Sequence, residues 1–228
     1  MGVKIIFLNF NLSGFQPEFT PQRRGGNDRE VCIMPNQELH RIVSTAIIYK
    51  KFPEEFLEFP SFSRHGNKFL SGLARKYKKE GGQNRYLITK RSPNKKVFPN
   101  KWTVPGGGLE TDDYTNTPPS TKDGTWYFAL ETSLRREIKE EVNLEVDFIK
   151  YLLDLAFIRP DGVPVITLSF YAPYKSGEVK LDKDATEFVW ATYEECKKYD
   201  LIDGILDEIR MVDEILGRKS EEEVKFKN

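Results

Sequence analysis

The sequence predicts an α/β (α+β) fold, an α/β/α sandwich on a mixed β-sheet. Three observations predict it. Short runs rich in β-branched and aromatic residues recur along the chain, at residues 42–49, 163–171 and 188–191 among others. Between them lies one helical pattern, in which Leu130, Leu134, Ile138 and Val142 recur every four residues. A second helical stretch, residues 193–216, follows the last strand pattern. Strands with helices on either side of them in sequence assemble as layers around a shared core.

Residues 1–40 form an N-terminal extension. Its apolar run (Ile5, Ile6, Phe7, Leu8) reads as a strand or arm, since no basic segment of weight precedes it and no small-residue cleavage site follows. Residues 12–40 carry Pro, Gly and Asn in loop proportions, and Arg23, Arg24 and Arg29 read as solvated loop positions. Residues 42–49 are the first strong strand. Residues 51–84 read as an insertion, with Phe52, Phe56, Phe59 and Phe62, a helix near 69–79, and a basic run of Arg75, Lys76, Lys78 and Lys79. A strand follows over 86–90, and an extended piece over 101–104 ends at Pro105 and three glycines. A polar insertion spans 111–123. The helix is expected over 126–142, with Asp123 or Thr125 capping its start. Residues 144–157 and 163–171 read as strands around a turn at Pro160, Asp161 and Gly162. The helical segments of 193–216 break near Asp203 and Gly204, and residues 218–228 are a charged tail. The main domain is therefore 41–217.

Composition narrows the function classes. The 35 basic and 35 acidic side chains cancel, unlike the balance of a strongly basic nucleic-acid binder. Two cysteines and two histidines are too few, and wrongly spaced, for a disulfide scaffold or a zinc site. Unpaired cysteines fit a reducing, cytoplasmic location. No run approaches the roughly 20 apolar residues of a membrane span.

The chemistry concentrates in residues 136–141. On a helix, Glu137, Glu140 and Glu141 share one side. Like charges so placed repel by about 0.2–0.5 kcal/mol per pair. A hard divalent cation removes that repulsion, and carboxylate oxygens suit Mg²⁺ or Mn²⁺. Arg136 has the planar fork that fixes a neighbouring glutamate. Alone, such a cluster reads equally as a solvated helix face. The second element is Trp102-Thr103-Val104-Pro105-Gly106-Gly107-Gly108-Leu109-Glu110, where glycines let the backbone bend and turn N–H groups toward a phosphate.

Together the two segments resemble the Nudix box. Gly107 matches its opening glycine, and Arg136, Glu137, Ile138, Glu140, Glu141 and Leu144 match its second half. Trp102, Pro105, Gly106, Glu110 and Arg91 match residues common around the glycine. There are three departures. The Gly107–Arg136 separation is 29 positions, 15 more than the family pattern. The position of the family's first box glutamate is Phe128. The late box glycine is Asn143, the next best residue for a left-handed helix end.

The resemblance implies a Nudix-like sandwich and a Mg²⁺-dependent hydrolase, with Mn²⁺ as the substitute ion. Its reaction would cleave a phosphoanhydride bond of a nucleoside diphosphate-linked compound or a nucleoside triphosphate. Glu141 would be the central metal ligand, with Glu137, Glu140 and the Gly107 carbonyl completing the set. Gly106, Gly107, Gly108, Arg91 and Glu110 would flank the phosphates. Metal would activate the attacking water. Its proton would pass to Glu137 or to a loop acid outside the box, Glu187 before Glu178, while Arg136 orders the glutamates. The insertion at 111–123 is expected to be a mobile lid or selectivity element, or to supply Asp112 or Asp113 for the missing carboxylate. Its deletion is expected to leave stability nearly unchanged. The expected partner is a small nucleotide-like molecule; no membrane is expected, and nucleic acid is not favoured. Two alternatives stay open: a nucleotide sensor without catalysis, and an RNA-processing pyrophosphohydrolase using the basic run at 75–79.

Overall fold

The computed structural model describes residues 20–22, 31–33, 39–51 and 83–227. The chain divides into two compact units, Met1–Leu39 and His40–Asn228. In the first, β1 (Thr20–Gln22) pairs antiparallel with β2 (Val31–Ile33), Pro21 opposite Cys32. The arm at residues 1–11, the arginines at 23, 24 and 29, the helix near 69–79 and the basic run at 75–79 lie outside the described residues.

Among the described residues, the second unit carries one eight-stranded mixed sheet. Its centre is β3 (Arg41–Lys51), flanked by β4 (Asn84–Arg91) and β9 (Pro164–Ser176), with β10 (Ala185–Ala191) beyond β4. β3 runs parallel to β9 along nine residues. It meets β4 only at its far end, from Tyr49↔Tyr86 to Lys51↔Asn84. Nearer their functional ends the two strands part. β5 (Trp102–Thr103) pairs there with β4, and β6 (Gly106–Gly108) with β3. β7 (Glu145–Val146) and β8 (Lys150–Ile158) both pair with β9.

β3 reads as a nearly continuous apolar run because both of its faces are covered. Ala46 and Ile48 face one layer, Ile47 and Tyr49 the other. The short helix α1 (Asp112–Thr115) follows β6, and α2 (Ala129–Val142) packs Leu134, Ile138 and Val142 on the Ala46 face, against Leu87. Past β10, α3 (Tyr193–Cys196) starts from a capping box between Thr192 and Glu195. α4 (Ile205–Leu216) packs Ile205, Ile209 and Val212 on the Ile47 face, against Tyr86 and Ile88. This is the predicted sandwich.

Three local expectations need correction. α2 starts at Ala129, not 126, and neither Asp123 nor Thr125 caps it. Phe128 holds the N-cap in a left-handed conformation (φ 61, ψ 23) with no side-chain cap, and helix cannot extend backward through that geometry. Residues 144–157 are two strands, β7 and β8, broken by a bend at 147–149. The glycine triplet is a strand, β6, where a turn was expected; glycines carry no side-chain alternation that would reveal it. At its other end α2 closes as expected, with Asn143 left-handed at φ 56.

Candidate active site

α2 lays Glu137 and Glu141, one turn apart, against β6. The Gly106 N–H donates to Glu141 Oε2 at 2.9 Å. A Cβ on Gly107 would lie 2.3 Å from the Glu137 carboxyl carbon, so only glycine admits that side chain. Burial, before any other cause, pushes both carboxyl groups upward. Glu141 rises to about 7, with Glu137 and Asp182 adding repulsion while the Gly106 N–H and Arg91 oppose. Glu137 rises too, against the pull of Arg136.

Of the three predicted acids the structure brings two together. Glu140 is 59% exposed at its side chain and pairs with Arg136 Nη1 at 2.9 Å, away from Glu141. Arg136 is the hub on this side. Its guanidinium also meets Glu137 at 3.0 Å, the Gly108 carbonyl at 3.3 Å and both oxygens of Asp113.

Glu137, Glu141 and Gly106–Gly108 line one end of a cavity of about 620 Å³. Arg91 lines it as well, its Nε donating to the Val97 carbonyl at 3.1 Å. Burial lowers the Arg91 pKa, and Glu141 and Asp184 counter that. The other predicted residues lie off the cavity. Glu187 is exposed and paired with Lys90 at 2.7 Å. Glu178 is exposed, its carbonyl accepting from Asn143 Nδ2. Glu110 is exposed and gives its backbone N–H to Asp113. Sequence reasoning missed four basic lining residues, Arg41, Lys95, Lys96 and Arg159. Arg41 comes so near that a Cβ on Gly108 would meet its guanidinium at 2.6 Å. A lone arginine at a strand end carries no spacing signal.

Among the described residues, no three His, Cys, Asp or Glu side chains group closely enough to hold one ion. The Glu137–Glu141 pair still fits a hard divalent cation. It offers two oxygen ligands whose charged forms are disfavoured by burial and, at Glu141, by the neighbouring carboxylate. Mg²⁺ is commonly held by one or two carboxylates together with substrate phosphates.

The raised Glu141 pKa has a thermodynamic consequence. Between about pH 4.5 and 7 the unfolded chain has lost this proton and the folded chain keeps it. Metal-free stability should therefore fall as pH rises through that window, as far as Glu141 contributes. In EDTA, the Tm difference between wild type and Glu141→Gln should grow from pH 5 to 7.5; a constant difference would contradict the raised pKa.

The insertion does not line the cavity, and Asp113 is not poised as a substitute ligand. The Asp113 side chain is 2% exposed, holds Arg136 through two hydrogen bonds and accepts the Glu110 N–H at 2.8 Å. The Arg136 bond, foremost, pulls its pKa down to about 2. Breaking a buried pair costs about 3–5 kcal/mol, but Arg136 is partly exposed and retains Glu137 and Glu140. Asp113→Ala should thus cost about 1–3 kcal/mol, or roughly 3–10 °C in Tm. Thermal melts of Asp113→Ala and Asp112→Ala check this, since only the first should move. Deleting the loop through Asp113 removes the same pair and is no longer expected to be neutral.

The family model described as NUDIX domain matches residues 78–209. The nucleoside triphosphatase NudI of Klebsiella pneumoniae (strain 342) is 25% identical over 130 residues, 52% of this chain and 81% of that protein. NudI of Escherichia coli O17:K52:H18 (strain UMN026 / ExPEC) is 27% identical over 126 residues, 51% of this chain and 79% of that protein. Among solved structures, the NUDIX domain of Shewanella oneidensis NrtR, complexed with ADP ribose, superposes with a TM-score of 0.51. It shares 15% identity, covers 79% of this chain and 90% of that one, and so bears on the fold alone.

Proposed function

Because the chain belongs to the Nudix family, we propose that this hydrolase of phosphoanhydrides is divalent-metal-dependent and cleaves nucleoside triphosphates, with nucleoside diphosphate-linked compounds as the neighbouring substrate class. The observation that carries the reading is the Glu137–Glu141 pair, pressed on Gly106 and Gly107 at the head of a cavity lined by arginines and lysines. The name of the NudI relatives, nucleoside triphosphatase, supports the choice of substrate.

Glu137 and Glu141 would hold the ion, Mg²⁺ first and Mn²⁺ as its substitute. When bound, that cation neutralises charge on the phosphates and lowers the pKa of coordinated water. Arg41, Arg91, Lys95, Lys96 and Arg159 offer the positive field that a polyphosphate needs. Arg136 positions Glu137 through their 3.0 Å ion pair. With Glu187 and Glu178 off the cavity, Glu137 is the acid best placed to take a proton from water. No helix among the described residues is long and apolar enough to cross a membrane. Cys196 is a buried core thiol, in keeping with a cytoplasmic setting.

The sensor reading has one observation in its favour. Phe128, where the family pattern has a glutamate, is 78% exposed and offers no carboxylate. Incubating the protein with a nucleotide panel plus Mg²⁺, and again with EDTA, decides between them. Metal-dependent release of phosphate or pyrophosphate is expected. Tight nucleotide binding with no cleavage of any compound would establish the sensor in its place.

A further inference from the structure

Across the cavity from Glu137 and Glu141 lies a carboxyl group that the proposed reaction does not use. Glu208, in the first turn of α4, is 4% exposed and lines the cavity wall. The Ser169 hydroxyl donates to its Oε2 at 2.5 Å. Among the described residues no lysine or arginine forms an ion pair with it. Burial raises its pKa and Asp207 adds to that, while the Ser169 bond opposes. A carboxyl group withdrawn from water is costly unless donors reach it, and the remaining direction open to it is the cavity.

Strand register places this group. Ser169, Thr45 and Gly106 form one row across β9, β3 and β6. Ser169, which bonds Glu208, stands first in the row and Gly106, which bonds Glu141, stands last, with two strand spacings or about 10 Å between their backbones. From Ser169 the cavity floor continues along β9 through Thr167 to Val165, four residues or about 13 Å. Leu155 and Phe157 border it, opposite Thr167 and Val165. At its end the Phe157 ring meets Phe98, centroids 6.2 Å apart. Phe98 lines the cavity from a left-handed backbone (φ 50), a strained conformation for a bulky residue.

We propose that this half of the cavity is a nucleobase subsite. In it Glu208 accepts N–H hydrogen bonds from an amino-bearing base edge, and Phe98 and Phe157 flank the ring. The assignment rests on the reading of the same cavity as a nucleotide hydrolase site. Guanine, cytosine and adenine present an exocyclic amino group to such an acceptor. Uracil and thymine present carbonyl oxygens there, which a carboxylate repels.

The test compares kcat/KM for GTP, CTP, ATP and UTP, with inorganic triphosphate as the substrate without a base, in wild type and Glu208→Gln. At least one amino-bearing nucleotide should exceed UTP by about tenfold or more, and Glu208→Gln should erase that ratio mainly through KM. An unchanged ratio, or an equal loss on all substrates including inorganic triphosphate, overturns the proposal. Should the wild type cleave no phosphoanhydride, the hydrolase reading fails while the subsite stays testable. Calorimetry of free nucleosides without metal should then show uridine as the weakest ligand in wild type and equal to the others in Glu208→Gln; no discrimination in wild type overturns the subsite. Phe98→Ala, at a half-exposed position, gives an independent readout. It should weaken nucleoside binding several-fold, and unchanged binding would remove the aromatic half of the subsite.

Discussion

Glu141→Gln should lower kcat by at least about a hundredfold, the scale of losing one fixed group that stabilises transition-state charge, while Tm in EDTA stays level or rises. The substitution separates two roles of one side chain. The glutamine oxygen can still accept the Gly106 N–H, so the bond that ties α2 to β6 survives. What disappears is a charge held in a buried place beside Glu137 and Asp182. Without metal that charge is a liability, so its removal relieves the fold. With metal it is half of the carboxylate pair, so its removal also abolishes the Mg²⁺-induced rise in Tm expected of the wild type. Wild-type turnover in Glu141→Gln would sink the ligand assignment. A large fall in Tm would instead make Glu141 a structural residue.

Two neighbouring glycines should fail in opposite ways. A Cβ on Gly106 would lie 2.2 Å from the Ser44 carbonyl oxygen and 2.6 Å from Thr45 Cα, from a backbone at φ +150. Both contacts are main-chain atoms of the central strand, which cannot step aside. Gly106→Ala should cost about 3 kcal/mol or more, roughly 6–12 °C in Tm. The atoms nearest a Cβ on Gly107 are those of the Glu137 carboxyl group, at 2.3–2.4 Å. That side chain can swing away, so Gly107→Ala should fold with a cost of about 1–2 kcal/mol yet lose most of its activity. Melting curves and kcat on the two variants check the contrast. Equal stability losses would mean that Glu137 cannot yield, and full activity in Gly107→Ala would mean that its position does not matter.

How much was legible beforehand follows from the range of each signal. The two-faced burial of β3 and the apolar stripe of α2 are written in neighbouring residues, so the sandwich could be read. The pairing of Glu137 with Glu141 is one helical turn and could be read as well. The Arg136–Glu140 pair is one turn as well, but that Asp113, 23 positions earlier, holds the guanidinium could not be read. Glu187 is the acid that the resemblance offers outside the box, but its strand register puts it opposite Lys90, where the two pair. Glu208 carries no local mark at all. It is one acid among several in an amphipathic helix, and only the packing of α4 over Ser169 gives it a place.

The tie between Asp113 and Arg136 also says where foreign polypeptide can be accommodated. Ahead of Asp113 the chain is committed, since Glu110 is bonded to Asp113 and Asp113 to Arg136 of the helix. Beyond it, Trp126 donates to the Thr117 carbonyl at 2.9 Å and its ring lies tilted against Tyr114, centroids 5.5 Å apart, closing the loop at its base. The tip between Thr121 and Thr125 is exposed, and a Cβ placed at Gly124 would meet no atom within 4 Å, although its backbone at φ +78 favours keeping the glycine itself. A reporter peptide or an affinity tag spliced at Gly124 would hang from a clasp that is already fastened. Lengthening an open loop costs only about 0.6 kcal/mol per doubling, so the enzyme could be labelled within its own signature motif without loosening the helix that carries Glu137 and Glu141.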